Sequence, residues 1–126
     1  MRLTLLKSKL HRATVTAADL HYEGSIALGP DLRQAAGLLE YERVEIYNVT
    51  NGERFATYVI AGQQRGEVMI NGAEARRVQP GDHVIIAAYA EFTPEEARVH
   101  QPTVVLLDSD NRPQPREKLK AESLKN

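Results

Sequence analysis

Arg43-Val44-Glu45-Ile46-Tyr47-Asn48-Val49-Thr50-Asn51-Gly52-Glu53-Arg54-Phe55-Ala56-Thr57-Tyr58-Val59-Ile60-Ala61 reads as two strands joined by a turn. Val44, Ile46 and Asn48 alternate with Glu45, Tyr47 and Val49, the period of a strand with one face on a core. Thr50-Asn51-Gly52-Glu53 follows, and its Asn-Gly pair favours a tight hairpin turn. The return strand begins at Arg54.

Outward from this hairpin, short stretches rich in β-branched residues and bounded by turn residues recur along the chain. Residues 2–10 and 13–16 read as strands, and 67–70 precedes a second Asn-Gly at Asn71-Gly72. Pro80-Gly81-Asp82 introduces an apolar strand over 83–89, and 103–107 is the last strand. Helical signals are few. Pro30-Asp31-Leu32-Arg33-Gln34-Ala35-Ala36-Gly37 has proline near its start and glycine at its stop, and a second helical turn starts at Thr93 with Pro94 in its first position. Many short strands with few helices predict a mainly β domain, closed into a small barrel that leaves no open edges. Residues 1–108 form this one domain. Residues 109–126 turn charged and polar with two prolines and read as an exposed, flexible tail, within which 118–124 has weak helical character.

Composition narrows the functions open to the chain. Its 126 residues carry 16 basic and 17 acidic side chains, so no basic footprint for nucleic acid exists. No apolar run is long enough to span a bilayer, and the N-terminus lacks the pattern of a signal peptide, so the expected location is cytoplasmic. The absence of cysteine excludes disulfides, thiolate metal sites and cysteine nucleophiles. His11, His21, His83 and His100 show no metal-ligand spacing, and no metal is expected. Asn48-Val49-Thr50 matches a glycosylation sequon, but a strand entering a turn explains it better.

Leu20-His21-Tyr22-Glu23-Gly24-Ser25-Ile26 places a glycine carbonyl directly before a serine hydroxyl. A turn is the ordinary reading of Gly-Ser. In a fold that strains the bond, Ser25 attacks the Gly24 carbonyl, the amide becomes an ester, and elimination followed by hydrolysis leaves a pyruvoyl group at position 25. Glycine suits that position because it tolerates unusual backbone angles and lets the nucleophile approach.

Several runs, in order, resemble the bacterial aspartate 1-decarboxylase family. They are Lys9-Leu10-His11-Arg12, Ala18-Asp19-Leu20-His21-Tyr22-Glu23-Gly24-Ser25, and Asn48-Val49-Thr50-Asn51-Gly52 with Arg54-Phe55 and Thr57-Tyr58. Asn71-Gly72-Ala73, Gly81-Asp82 with Val84-Ile85-Ile86-Ala87, and Glu95-Glu96-Ala97-Arg98 continue the series. The resemblance implies a six-stranded double-psi β-barrel, a topology that pattern alone does not separate from an OB-like barrel. It implies a self-processing enzyme that converts L-aspartate to β-alanine and carbon dioxide for pantothenate and coenzyme A synthesis. The cofactor would be the pyruvoyl group made from Ser25, forming a Schiff base with substrate, with no metal and no pyridoxal phosphate. A homotetramer with sites between subunits is also implied.

Roles carried by the resemblance fall on particular residues. Gly24, Ser25 and Thr57 serve self-cleavage, Lys9 and Arg54 hold substrate carboxylate, and Tyr58 returns a proton to Cα. Asn71, Gly72 and Ala73 offer donors to substrate or to an oxyanion, although a hairpin turn is the simpler reading of Asn71-Gly72. His11 and Tyr22 are supporting groups, and His21 and Glu23 are candidates for local proton transfer. In a regular strand Thr57 faces away from Arg54 and Tyr58, so either a bulge intervenes or the site extends beyond one face. Lys7 and Lys9 look alike on one strand face. Two other readings stay open: a non-enzymatic barrel binding an acidic small molecule through Arg54 and Lys9, and a pyruvoyl enzyme for a different amino acid.

Overall fold

The hairpin forms, and an eight-stranded sheet builds around it. A computed structural model describes residues 1–115. In chain order the elements are β1 (Leu3–Thr14), β2 (Ala17–Asp19), β3 (Ser25–Leu28), α1 (Pro30–Ala36), β4 (Arg43–Asn48), β5 (Arg54–Ala61) and β6 (Val68–Asn71). A 3-10 helix (Gly72–Arg77), β7 (His83–Phe92), α2 (Pro94–Val99) and β8 (Thr103–Leu106) follow. The molecule is mainly β, as its patterning predicts. No helix among the described residues is long and apolar enough to cross a membrane.

The strands are ordered β2-β6-β3-β5-β4-β7-β1-β8. The ends of that ladder are joined by the chain itself, because β1 runs into β2 through Val15 and Thr16. Val15 N–H donates to Asp82 O at 2.9 Å, on the β7 side, and Thr16 N–H donates to Val68 O at 2.8 Å, on the β6 side. Counted as one bent strand, β1 and β2 complete a ring with β6, β3, β5, β4 and β7, the six strands that the resemblance implies. β8 adds parallel to β1. The bend coincides with a register shift between Leu10 and Ala13, where Arg12 takes φ 63°.

Alternate residues fill the interior. Val44 and Ile46 of β4, Val59 of β5, Val68 and Ile70 of β6 and Val84 and Ile86 of β7 are all buried in one core cluster. Leu32 and Ala36 of α1 join them, and the helix ends as expected at Gly37. Each such side chain removed from water contributes about 1.5–3 kcal/mol when fully buried.

Three expectations need correction. The first turn is longer than a two-residue hairpin: Asn48 N–H still bonds Glu53 O, and residues 49–52 form the loop. The buried Asn48 side chain organises it, accepting from Thr50 and Asn51 N–H and donating to Arg77 O and Asp82 Oδ2. Second, Asn71-Gly72 is not a hairpin turn. Asn71 ends β6, and Gly72 opens the 3-10 helix with φ 78°. Third, β2 and β3 were not anticipated; β3 is buried at all four positions and therefore lacks a polar alternation.

Past residue 108 the described chain still makes contacts with the sheet. Leu107 pairs with Pro113, Gln114 N–H bonds Leu106 O, and Asn111 is 1% exposed. Asn111 accepts from Thr14 N–H at 2.7 Å and donates to Thr14 O and Gly66 O, each at 2.8 Å. The weak helix expected over 118–124 lies outside the described residues.

Losing that buried amide leaves its backbone partners in the protein interior without a bond. Asn111→Ala is expected to lower the unfolding free energy by about 2–4 kcal/mol, read as a lower urea midpoint at unchanged slope.

Candidate active site

Ser25 opens β3, between antiparallel β6, where it faces Asn71, and parallel β5, where Ile26 faces Val59. Ile26 and Leu28 point into the core, so Ser25 and Ala27 lie on the outer face. Ser25 is nevertheless only 1% exposed. Its hydroxyl donates to Glu23 O at 3.2 Å and accepts from Asn71 Nδ2 at 3.0 Å. Asn71 is fully buried, and its Oδ1 has no hydrogen-bond partner among the described residues.

Gly24 does not owe its place to an unusual φ, since its φ is not positive. A Cβ there would lie 3.2 Å from Glu74 Oε2. Gly72 presses on it from another side: a Cβ at 72 would lie 2.6 Å from Gly24 Cα and 2.8 Å from Gly24 N. Positive φ and close approach thus both demand glycine at 72. Ala73 is exposed on the 3-10 helix.

β5 carries the next group without a bulge. Its pairing with β4 is regular, Arg43 with Tyr58, Val44 with Thr57 and Tyr47 with Arg54. Arg54 and Tyr58 are exposed on the outer face, whereas Thr57 is buried toward the interior. Carried one and two residues past Ile26–Val59, the parallel register sets Tyr58 level with Ser25 on the outer face and Thr57 level with Gly24 on the inner face. The two neighbours therefore address different sides of the Gly24-Ser25 bond. Asn71, the partner of Ser25, also lines a cavity of about 170 Å³ with Tyr22, Ala27, Ile60 and Met69 among others, although Ser25, Arg54 and Tyr58 do not line it.

Arg54 forms no side-chain hydrogen bond or ion pair among the described residues. Its guanidinium instead lies over the Tyr47 ring, 4.2 Å from the centroid, and the Tyr47 and Tyr89 hydroxyls are 3.0 Å apart. That hydrogen bond, aided by partial desolvation, pushes the Tyr47 pKa up to about 12. Tyr47 and Tyr89 were missed from sequence: the tight Asn51-Gly52 turn expected there would set Val49 opposite Arg54, and only the longer loop over residues 49–52 brings Tyr47 to that position. Glu74 was also missed, and no sequence signal marks it.

Lys9 is not brought to Ser25 within one chain. It sits on β1 opposite Ala87 and Val104, and β7, β4 and β5 separate β1 from β3. Lys9 makes no hydrogen bond or ion pair among the described residues. Lys7, which looked equivalent, bonds Gly37 O at 3.0 Å and Glu42 at 2.8 Å, beside a register shift between Leu6 and Ser8. His11 lies half-buried on β1 opposite Leu106, also away from Ser25. Tyr22 is exposed at the cavity mouth, and His21 and Glu23 are exposed on the turn leading to Gly24. No group of three or more metal-ligating side chains occurs among the described residues.

A family model described as aspartate decarboxylase matches residues 1–114. The chain is similar to the aspartate 1-decarboxylase of Bdellovibrio bacteriovorus, 55% identical over 112 residues, which are 89% of this chain and 90% of that one. It is also 55% identical to the enzyme of that name from Bordetella avium over 113 residues, 89% of this chain and 93% of the other. The Campylobacter jejuni protein so named is 55% identical over 111 residues, 88% of each chain.

The paired tyrosine hydroxyls have a spectroscopic consequence. In an absorbance titration, one tyrosine of the wild type should ionise near pH 12, the raised Tyr47 value. Tyr89→Phe removes the main cause, and the same group should then ionise closer to pH 10.

Proposed function

Because the chain belongs to the aspartate decarboxylase family, we propose that it cuts itself between Gly24 and Ser25 and then decarboxylates L-aspartate to β-alanine and carbon dioxide. The observation that carries this reading is the Ser25 hydroxyl, buried and bonded by Asn71 on the residue following Gly24, whose backbone Gly72 approaches closely. Ser25 Oγ attacks the Gly24 carbonyl carbon, and the Gly24–Ser25 amide becomes an ester. Loss of the Ser25 α-proton and cleavage of the Cβ–Oγ bond release Gly24 as a new C-terminus. Hydrolysis of the resulting dehydroalanine, with loss of ammonia, leaves a pyruvoyl group.

The residues present fit such a group. Once Oγ is gone, the Asn71 amide loses the acceptor it now serves and is free to hold a new carbonyl or substrate oxygen; its orphaned Oδ1 offers an acceptor as well. The cavity that Asn71 lines leaves room for a small substrate. The pyruvoyl group supplies the electron sink that decarboxylation at Cα requires.

This chain's side chains do the rest. Arg54 presents its guanidinium donors outward, stacked on Tyr47 and free of competing carboxylates, to clamp a substrate carboxylate through paired hydrogen bonds. Tyr58, level with Ser25, returns the proton to Cα. Thr57, level with Gly24 on the inner face, supports the scissile carbonyl during self-cleavage. Lys9, on the part of β1 that pairs with β7 and β8 rather than with β3 or β5, serves a neighbouring copy at sites shared between subunits of a homotetramer. The β-alanine formed is the precursor for pantothenate and hence coenzyme A.

Intact mass on fresh and incubated protein tests the first step. The wild type should split at Gly24/Ser25, with the larger fragment carrying pyruvoyl, and Ser25→Ala should stay whole; a wild type that never splits leaves the binding-barrel reading. L-Aspartate should outperform other amino acids in a substrate panel, and preference for another would select the alternative pyruvoyl enzyme. Shared sites predict complementation: Lys9→Ala and Ser25→Ala proteins, each inactive alone, should regain decarboxylation when co-assembled.

A further inference from the structure

Self-cleavage needs a proton carrier, and none of the groups bonded to Ser25 Oγ is one. Glu23 O is an amide carbonyl and the Asn71 side chain is an amide, so each fixes the hydroxyl without being able to take its proton at useful cost. Glu74 is different in kind. The 3-10 helix that starts at Gly72 turns it back onto the scissile residue. The three atoms nearest to a Cβ built on Gly24 are Glu74 Oε2 at 3.2 Å, Oε1 at 3.8 Å and Cδ at 3.9 Å. Oε2 is buried and has no hydrogen-bond partner among the described residues. Such an acceptor is costly to leave unpaired and is open to receive a proton. His21 and Glu23, the carriers considered from sequence, are exposed on the turn instead.

We propose that Glu74 is the proton-transfer group of self-cleavage at Gly24-Ser25, an inference that rests on the self-processing reading above. Glu74, directly or through one water, takes the proton from Ser25 Oγ as the Oγ–C bond to Gly24 forms and the carbonyl electron pair moves onto oxygen. When that oxygen's pair returns, the C–N bond breaks with its electrons going to the Ser25 nitrogen, and Glu74 delivers the proton there. The amide has become an ester isomer and Glu74 is regenerated, with no other reactant consumed.

The experiment follows disappearance of the full-length precursor by mass spectrometry in wild type, Glu74→Gln, Glu74→Asp, Glu74→Ala and Ser25→Ala. Glu74→Gln keeps the side chain's shape and loses its proton chemistry; its cleavage should slow by about 100-fold or more, while its thermal melt stays like the wild type's. Glu74→Asp should be intermediate. Added formate should accelerate cleavage of Glu74→Ala in proportion to its concentration and leave Ser25→Ala whole. Equal rates for wild type and Glu74→Gln overturn the proposal. So does slowing that formate does not relieve, or that tracks a lost melt, because a packing role behaves that way. A wild type that never cleaves overturns the self-processing reading itself, and this proposal with it.

Discussion

One strand serves both ends of the sheet, and the rest of the molecule is arranged around that. β1 pairs with β7, its continuation β2 pairs with β6, and Val15-Thr16 between them bonds to both sides. Closure leaves the six-strand ring itself without an open edge, with β8 added outside it along β1. It also fixes what lies between. With β1–β2 bridging the ends, β3 is held between β6 and β5, with a hydrogen-bonded neighbour on each side. The strand containing Ser25 is thus clamped laterally, whereas the chain just before it is an exposed turn. The proposed scissile bond lies where this clamped strand meets the turn, an arrangement suited to chain cleavage without loss of the barrel.

Closure is secured by a polar knot rather than by apolar contact alone. Asn48 at the end of β4 donates to Asp82 Oδ2 and Arg77 O, Asp82 O accepts from Val15, and Val15 O accepts from Gly81. Each buried backbone group around the β1–β2 bend consequently has a partner, as burial demands. The same knot accounts for the glycosylation sequon: Asn48 is 3% exposed and both its Nδ2 bonds are internal.

Legibility from sequence followed locality. Strands β4, β5 and β7 have a solvent face, so alternation marks them, and the two helices carry their stop and start residues; α2 even completes a capping box between Thr93 and Glu96. β3 is covered on both faces and shows no alternation, so its residues look like loop. Asn71-Gly72 misleads because the positive φ of Gly72 is used for approach to Gly24, a contact across 48 positions of chain by the difference of their numbers. In the proposed site, motif resemblance alone picks out Ser25, Arg54 and Tyr58, and strand period alone gave the opposite facing of Thr57 that the burial pattern shows. Lys7 and Lys9 differ only through Gly37 and Glu42, distant in sequence, and Glu74 is marked only by the place the 3-10 helix carries it to.

On the proposed self-processing, the reactivity of the Gly24-Ser25 bond is a matter of packing more than of backbone angle. Gly24 does not occupy the positive-φ region, so no dihedral strain of that kind is stored in it. Its constraint is lateral. Gly72 touches its Cα and N closely enough that one added methyl group at 72 would overlap both, and the Glu74 carboxyl lies close to where a side chain at 24 would begin. Held this way, the Gly24 backbone has little freedom to recede from the neighbouring Ser25 hydroxyl, which Asn71 fixes in turn. Positioning of this kind converts an attack that is improbable in a flexible chain into one whose entropy cost was met when the barrel folded. The glycines at 24 and 72 are accordingly two halves of one device: one removes the side chain that would block the approach, the other brings the backbone that enforces it.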